Sequence, residues 1–401
     1  MKKVRLIPGL FAFLRMLKAR NEKKAAADGN TREDPITALA KAMHPDALHL
    51  IVTQVREENA TVKTYRLASR NGALPLFQPG QYLSIKLNIG QTSTARAYTI
   101  SSAPYEADDN GYYEITIRHK KDGFVSPHIF SSWEEGTEVD ATGPHGDFFY
   151  QPLRDNPNII AIAGGTGITP FVSMLKQFAC DANAPSLTLI YGCCDTDDIL
   201  FEDKLKELCS DYPERFGRFN TFEKCESDSG LRKGFITAEF IRECIGEPLE
   251  KSFFICGPVI MYEFLAKEFA KFPGLELKQT RYELGGMPLN TGRIAGFPKD
   301  AMKKNVMLHI KNEFTDWHIP ASTDEPILVA IERAGKILDS RCRSGECGIC
   351  RSKLISGDVF IIPDKDGRRA ADKALGYIHP CSTYPLSDGE ILIPPGRPAQ
   401  T

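Results

Sequence analysis

The chain has 401 residues, of which 42% are hydrophobic and 25% charged, as is usual for a globular protein with several packed domains. This composition excludes a disordered or collagen-like chain. The formal net charge of -2 provides no basic excess to neutralise a phosphate backbone, so nucleic acid is not an expected partner.

The N-terminal segment, residues 1–45, predicts an extension that precedes the main domains. Within residues 4–20, apolar side chains recur at helical spacing among lysines and arginines, which predicts an amphipathic helix. Its apolar stretch is far shorter than the roughly 20 residues that span a membrane. The helix could pack on its own domain, stay disordered, or dock to a membrane surface or a partner. Without a convincing cleavage site, we expect a cytoplasmic protein, with association at the inner membrane surface left open.

Residues 46–152 carry short alternating or β-branched runs, such as YLSIKLNI and YYEITIRH, broken by glycine, proline and asparagine. These runs predict an antiparallel β-barrel. Two motifs lie within it, Arg96-Ala97-Tyr98-Thr99 and Gly123-Phe124-Val125-Ser126. Each motif alone could be an ordinary strand or turn, because tyrosine and threonine are common in strands.

Residues 153–284 alternate short apolar strands with helical patterns, which predicts an α/β domain with a doubly wound parallel sheet covered on both faces. The expected helices run through Phe171, Leu175 and Phe178, from Ile199 to Leu208, and from Met261 to Phe269. The turn GGTGITP, residues 164–170, lies between the first strand and the first helix. It could present backbone N–H groups to a phosphate. Because it lacks the G-x-G-x-x-G pattern, it could equally be a turn without a ligand.

Residues 285–304 are rich in glycine, proline and lysine and predict a linker. The last segment, residues 305–398, contains strand-like runs, an expected helix around Pro326 to Gly335, and a cysteine-rich loop. Cys342, Cys347 and Cys350 form C-x4-C-x2-C, and Cys381 follows later. This spacing predicts a 2Fe-2S site, with Gly345 and Gly348 turning backbone amides toward the sulfurs. A zinc site or idle cysteines are the alternatives, but zinc ribbons usually pair two C-x2-C elements.

The last segment resembles the plant-type 2Fe-2S ferredoxins over some 90 residues. The resemblance implies an α+β β-grasp fold with Cys342, Cys347, Cys350 and Cys381 as the ligands. Residues 49–283 resemble the ferredoxin-NADP reductase superfamily through five motifs in the same order. These are Arg96 to Thr99, Gly123 to Ser126, Gly143 to Phe148, Gly164 to Pro170, and Cys256-Gly257-Pro258 with Met261.

The second resemblance implies FAD in the barrel and a nicotinamide nucleotide on the α/β domain. It implies that Arg96 holds the flavin pyrophosphate, that Tyr98 stacks on the isoalloxazine, and that Thr99 lies near the hydride-accepting nitrogen. Cys256 would border the nicotinamide carbon, which makes Thr99, Cys256 and Tyr98 the expected catalytic residues. The implied cofactor-binding residues are Arg96, Ala97, Tyr98, Thr99, Arg118, Gly123, Phe124, Val125, Ser126, Gly165, Thr166, Gly167, Ile168, Thr169, Cys194, Asp195, Gly257, Pro258 and Met261.

Two positions bear on the choice of nucleotide and on the end of the nucleotide domain. NADP-preferring relatives often carry arginine where this chain has Cys194, which is followed by Asp195 and two further aspartates. Because like charges disfavour a 2'-phosphate, we expect NADH rather than NADPH. The superfamily commonly ends this domain with Glu-x-Phe, whereas this chain has Glu283-Leu284-Gly285, so the role of Glu283 stays open.

Together these features predict an enzyme that moves electrons from NAD(P)H through FAD and a 2Fe-2S cluster to a partner protein. This domain order resembles the reductase components of multicomponent oxygenases and the reductase that serves hybrid-cluster protein. Two alternatives stay open: a ferric or flavin-type reductase that acts on small molecules, and a redox-sensing subunit.

Overall fold

The computed structural model describes residues 16, 18, 45, 47–225, 230–283, 287, 291–363 and 366–394. The chain divides into two compact units, Met1–Pro45 and Asp46–Thr401. Apart from Met16 and Lys18, which are helical and exposed, the predicted N-terminal helix lies outside the described residues. No helix in the described ranges is long and apolar enough to cross a membrane. The elements below all belong to the second unit.

An antiparallel barrel opens the second unit, as the alternating runs predicted. It comprises β1 (Leu48–Asn59), β2 (Val62–Ser69), β3 (Tyr82–Ile89), β4 (Thr92–Thr99), α1 (Pro104–Asn110), β5 (Tyr112–Arg118), α2 (Ser126–Ser132) and β6 (Glu138–His145). The strand order is β4-β3-β6-β1-β2-β5, and a bridge between Ile100 and Ile115 joins the two ends. In β1, Leu48, Leu50 and Val52 point into the core, because alternate residues of a strand face opposite sides.

The α/β domain follows, with a parallel sheet in the order β11-β10-β7-β8-β9. Its elements are β7 (Asn158–Gly164), α3 (Thr169–Ala179), β8 (Ser186–Cys193), α4 (Glu202–Asp211), β9 (Phe216–Phe222), α5 (Ala238–Ile245), β10 (Ser252–Cys256), α6 (Val259–Phe269) and β11 (Thr280–Tyr282). Ile159 and Ala161 of β7 pack with Phe171 of α3, while Ile160 packs with Phe269 of α6. Helices therefore cover both faces of the sheet, as expected.

Helix α4 begins at Glu202, three residues later than the expected start at Ile199. The residues just before Glu202 contact other parts of the protein. Asp198 pairs with Arg118 at 2.5 Å, and the Leu200 N–H donates to the hydroxyl of Tyr191 at 3.4 Å. These bonds fix the segment after β8 in an irregular conformation, which apolar periodicity alone could not indicate.

The C-terminal domain has the mixed sheet β13-β12-β18-β14-β16 and a small sheet β15-β17. Its elements are β12 (Asn305–Asn312), β13 (Thr315–Ser322), α7 (Ile327–Arg333), β14 (Ser352–Ser356), β15 (Val359–Ile361), α8 (Ala370–Ala374), β16 (Tyr377–Ile378), β17 (Thr383–Pro385) and β18 (Gly389–Leu392). Helix α7 buries Ile327, Leu328 and Ile331 against the sheet. This helix-on-sheet packing is the predicted β-grasp arrangement.

The described part of the predicted linker packs on the C-terminal domain instead of standing clear of it. Phe297 is buried, and its ring centroid lies 5.0 Å from that of Phe360 and 6.0 Å from that of Tyr384. On the other side of the domain, Gly335 follows α7 in a left-handed conformation with φ 71°. A Cβ there would lie 2.9 Å from the carbonyl oxygen of Gln91, so glycine allows the C-terminal domain to approach the barrel closely.

Candidate functional site

Four cysteines meet where the loop between α7 and β14 approaches the turn before β17. The thiol of Cys342 is in hydrogen-bond contact with the thiols of Cys347 and Cys381, and Cys381 is in contact with Cys350. The backbone N–H groups of Ser344 and Cys347 donate to Cys342 Sγ at 3.5 and 3.4 Å. Four adjacent sulfurs with backbone donors directed at one of them fit the donor set of a 2Fe-2S cluster.

The loop takes its shape from two glycines and one histidine. Gly345 and Gly348 adopt φ values of 85° and 70°, a left-handed conformation that other residues rarely take. His379 is buried, and its Nδ1 donates to the carbonyl oxygen of Gly345 at 2.5 Å. The hydroxyl of Thr383 donates to the His379 carbonyl at 2.9 Å. His379, which the sequence did not single out, thus ties the Cys381 turn to the main cysteine loop.

A cleft of about 360 Å³ lies between the barrel and the parallel sheet. It is lined by Ala97, Tyr98, Thr99, Thr116, Arg118, Gly164, Gly165, Thr166, Gly167, Thr169, Cys256, Gly257, Pro258 and Tyr262. The three residues expected to be catalytic, Thr99, Cys256 and Tyr98, therefore share one cleft. A Cβ at Gly167 would lie 2.0 Å from the Cys256 carbonyl oxygen, so glycine lets the two turns meet there.

Arg118 joins the two domains at this cleft. Its Nη2 lies 2.5 Å from Asp198 Oδ1, and its Nη1 donates to the Thr61 hydroxyl at 3.2 Å. The other Asp198 oxygen accepts the backbone N–H of Cys194 at 3.2 Å. One of the aspartates that follow Cys194 is thus neutralised by an ion pair, while Asp197 stays exposed to solvent.

Seven of the predicted cofactor-binding residues line neither this cleft nor the second cavity, beside Arg96, which is described below. They are Gly123, Val125, Ser126, Ile168, Cys194, Asp195 and Met261. Met261 packs behind the turns instead, since a Cβ at Gly164 would lie 2.8 Å from its sulfur. Ser126 starts α2, and its hydroxyl accepts the Lys120 N–H at 2.9 Å.

A second cavity of about 460 Å³ lies between the barrel and the C-terminal domain. It is lined by Thr92, Arg96, Ala97, Phe124, Met287, Pro326, Val329, Glu332, Arg333, Cys342, Arg343 and Cys381. Ala97 lines both this cavity and the cleft, so the two spaces adjoin at one strand residue. Two of the four cysteines, Cys342 and Cys381, reach the cavity from the other side.

Three arginines line this second cavity, Arg96 from the barrel and Arg333 and Arg343 from the C-terminal domain. Arg343 forms a bidentate ion pair with the buried carboxylate of Glu332, at 2.5 and 2.9 Å. Burial and the nearby Arg343 lower the pKa of Arg96 to about 10. Guanidinium groups repel one another in a partly buried site, so a bound anion would relieve the repulsion. Arg343 could not be found from the sequence, because nothing there shows which barrel residue it approaches.

Glu283 and Tyr262 are further residues that sequence reasoning did not assign. The Thr99 hydroxyl donates to Glu283 Oε1 at 3.4 Å, and Glu283 Oε2 is buried with no partner among the described residues. Burial raises the pKa of Glu283 to about 8. The Tyr262 hydroxyl accepts the Gly257 N–H and donates to the Glu283 carbonyl, both at 3.1 Å. An unpartnered buried acid beside Thr99 fits a site that receives a further polar group.

A third cavity, of about 490 Å³, lies where the three domains meet. The barrel contributes Tyr82, the α/β domain contributes Arg281 and Glu283, and the cysteine loop contributes Glu346 and Cys347. The cysteine loop therefore adjoins the end of the α/β domain as well as the barrel.

Comparison with known proteins identifies each of the three domains. Residues 49–150 match an oxidoreductase FAD-binding domain, residues 161–267 an oxidoreductase NAD-binding domain, and residues 311–386 a 2Fe-2S iron-sulfur cluster binding domain. NADH-cytochrome b5 reductase 1 of Kluyveromyces lactis is 30% identical over 211 residues, which cover 52% of this chain and 73% of that protein. The chain belongs to the ferredoxin-NADP reductase superfamily.

Other members of the superfamily share the whole domain order. The glycine betaine monooxygenase reductase subunit of Chromohalobacter salexigens is 27% identical over 351 residues, which cover 83% of this chain and 92% of that protein. The solved structure of phthalate dioxygenase reductase matches with a TM-score of 0.60 at 20% identity, covering 87% of this chain and 98% of that one. The protein is thus an NAD(P)H oxidoreductase with FAD and a 2Fe-2S cluster, as predicted.

Proposed function

We propose that this protein draws electrons from NADH and delivers them through its cluster to a partner metalloenzyme such as an oxygenase. One observation carries the proposal: Ala97 lines both the cleft that contains Tyr98, Thr99 and Cys256 and the cavity that Cys342 reaches. A flavin that occupied both spaces would lie beside the cysteines that reach the second one. Electrons would then pass between domains without leaving the protein.

When bound, FAD takes an electron pair from a hydride donor and the cluster takes electrons one at a time. For this chemistry, the side chains and backbone of the protein position the cofactors. Tyr98 offers its ring to the isoalloxazine, and Thr99 offers its hydroxyl beside the same ring. The turn at residues 165–169 and Cys256 would hold the nicotinamide in the same cleft, where exclusion of water and correct alignment support the rate.

We assign the FAD pyrophosphate to the cavity that Arg96 and Arg343 line. Both side chains are cationic, and guanidinium groups bind phosphate oxygens through paired hydrogen bonds. Glu332 keeps Arg343 in place through its bidentate pair. Cys342, Cys347, Cys350 and Cys381 hold the cluster as thiolates.

Glu283 receives a positioning role in this proposal. Its carboxyl accepts a hydrogen bond from Thr99, and Tyr262 holds its backbone against the Gly257 turn. With a pKa of about 8, the group is mostly protonated at neutral pH, so it can direct the Thr99 hydroxyl without placing a negative charge beside the flavin.

The nature of the partner is proposed from relatives that share the domain order. They include reductase subunits or components of a glycine betaine monooxygenase and of a 3-ketosteroid-9-alpha-monooxygenase. Each of these names describes a protein that serves an oxygenase. We propose an acceptor of the same class, a metalloprotein that takes single electrons.

Replacing Cys347 tests the proposed electron route. In Cys347→Ser, a hydroxyl of far higher pKa replaces a thiolate ligand, so the cluster should be lost or weakened. NADH reduction of ferricyanide should persist at a sizeable fraction of the original rate, since the cleft lies on other domains. Reduction of cytochrome c, a one-electron protein acceptor, should fall at least about tenfold, equivalent to about 1.4 kcal/mol on a barrier.

The matched control is Cys180→Ser, because Cys180 is an exposed cysteine that lies outside all three cavities. Iron content and flavin absorbance are measured first in both variants. Suppose Cys347→Ser keeps its flavin, loses its iron and still reduces cytochrome c at the original rate. Electrons would then leave directly from the flavin, and a reductase acting on small molecules would be the better description. Loss of NADH oxidation with every acceptor would instead favour a redox-sensing subunit.

A further inference from the structure

The edge strand β13 of the C-terminal sheet and its neighbour β12 each carry a histidine, and the two lie side by side. His309 of β12 and His318 of β13 are directly paired in the antiparallel register. Their ring centroids lie 4.2 Å apart with an angle of 15° between the planes, so the rings stack. Cross-strand pairs of this kind place two imidazoles on one face of a sheet. Because each nitrogen lone pair lies in the plane of its ring, one ring must turn out of the stack for both nitrogens to reach a single ion.

A carboxylate completes the group. Asp316 Oδ1 lies 2.8 Å from His309 Nε2 and 3.6 Å from His318 Nδ1. The ligand atoms of the three residues all lie within 4.8 Å of one another. Zinc bonds of about 2.0–2.1 Å in a tetrahedral site separate the ligand atoms by roughly 3.3 Å. The two measured separations lie on either side of that value, so binding of a metal ion requires rotation of Asp316 and of the exposed His318 ring.

A second carboxylate contacts the other nitrogen of one of the two rings. Glu390 Oε2 of β18 lies 3.3 Å from His309 Nδ1, and its other oxygen lies 2.7 Å from Lys311 Nζ. In metal sites the ligating histidine commonly donates its other ring N–H to a carboxylate, which fixes the tautomer and the ring orientation. His309 has this arrangement, with Nε2 toward Asp316 and Nδ1 toward Glu390.

We propose that His309, His318 and Asp316 form a binding site for a divalent transition-metal ion, Zn²⁺ in particular. Two imidazoles and one carboxylate are ligands that zinc accepts, and solvent completes the fourth position. The side chains of His318 and Asp316 are 64% and 72% exposed, so the ion can enter without any opening of the fold. The site contains no sulfur and lies on a different part of the domain from the cysteine loop.

Zinc titration of the intact holoprotein tests the proposal. The protein is treated with a chelator, desalted and titrated with zinc chloride by calorimetry, in the original form and as His318→Ala. We expect one thiol-independent site in the original protein, and a loss of affinity of at least about tenfold in the variant. The matched control is His49→Ala, because His49 contacts Asp140 at 2.7 Å without a second histidine among the described residues. That control should bind zinc like the original protein.

Zinc-edge X-ray absorption of the loaded protein distinguishes this site from stray binding to free thiols. Two imidazole ligands with nitrogen and oxygen neighbours and no sulfur are expected. Retained cluster absorbance and iron content show that the C-terminal domain of His318→Ala is folded, and Asp316→Asn offers a second variant that keeps the side-chain shape. Sulfur coordination, unchanged affinity in both variants, or no binding at all would overturn the proposal. In the last case the three side chains would form only a surface hydrogen-bond cluster.

Discussion

The cysteine loop and the cleft that contains Thr99 and Cys256 are built in opposite ways. Three of the four cysteines come from one short loop, and His379 fastens the fourth to it within a single domain. The cleft draws on β4, β5, the turn after β7 and the turn after β10, which belong to two domains. The loop therefore depends mainly on its own backbone, whereas the cleft depends on how domains meet.

The contacts between the barrel and the α/β domain include hydrogen bonds and an ion pair, whereas two like charges approach each other between the barrel and the C-terminal domain. Arg118 pairs with Asp198 between the barrel and the α/β domain, and Arg343 approaches Arg96 between the C-terminal domain and the barrel. Partly buried charges of this type are costly when a partner is removed. Single substitutions at the junctions should thus affect cofactor binding strongly, even when they lie far apart in the sequence.

The largest effect is expected at the arginine pair. Arg96→Gln should weaken FAD binding about 100-fold, and Arg343→Gln about tenfold, because each removes a charged donor to the pyrophosphate worth roughly 1.5–3 kcal/mol. FAD dissociation constants of the deflavinated protein, measured by flavin fluorescence, check both values. Arg351→Gln is the control, since Arg351 is an arginine of the same domain that pairs with Asp372 away from the cavity.

Removing Arg343 alone leaves the buried Glu332 carboxylate unpaired, which could weaken the domain by itself. The double variant Arg343→Gln/Glu332→Gln removes both charges and should show the same loss of FAD affinity. Normal FAD affinity in both variants with intact iron content would exclude Arg343 from the pyrophosphate site. Normal affinity in Arg96→Gln would refute the assignment of the cavity itself.

A smaller effect, on stability, is expected at Glu283. Its pKa is raised from 4.5 to about 8, so between these pH values the native state keeps a proton that the unfolded chain has released. The free energy of unfolding therefore falls as pH rises through this window. Glu283→Gln removes the titration, so its stability relative to the original protein should increase by roughly 2 kcal/mol from about pH 6 to about pH 8.

Denaturant unfolding of both holoproteins across this pH range measures the difference. Glu313 lies at an exposed position of the β12–β13 turn. The free energy of unfolding of Glu313→Gln should therefore change with pH in parallel with that of the original protein. A Glu283→Gln curve that also ran parallel would mean that the carboxyl is ionised in the native state at neutral pH. Its proposed role beside Thr99 would then be wrong.

The smallest expected effect concerns the nucleotide. Cys194→Arg should raise kcat/KM for NADPH about tenfold, since a guanidinium near the expected ribose position offers a partner for the 2'-phosphate at a value of about 1.4 kcal/mol. Cys180→Arg adds the same charge at an exposed position outside the cleft and should leave the preference unchanged. Steady-state kinetics with NADH and NADPH measure the kcat/KM values that test this prediction. An original protein that already used NADPH as well as NADH would contradict the proposed preference.

Sequence patterns predicted the features that neighbouring residues form and missed the contacts between residues far apart in the chain. The cysteine spacing, the turn at residues 164–170 and the alternation of β1 were all sufficient to predict their structures, because each depends on neighbouring residues. The approach of Arg343 to Arg96 and the hydrogen bond from Thr99 to Glu283 join positions far apart in the chain. No periodicity encodes such pairs. Only the packing of domains reveals them.

The position of Cys381 in the chain affects how the C-terminal domain folds. Cys342 and Cys381 enclose α8 and the strands β14 to β16, so a metal centre that joins them closes a long loop. Closing a loop removes freedom from the unfolded chain, as a disulfide does, and metal binding contributes directly to folding free energy. A chain without the cluster lacks this cross-link, so we expect its C-terminal domain to unfold more readily than that of the loaded protein.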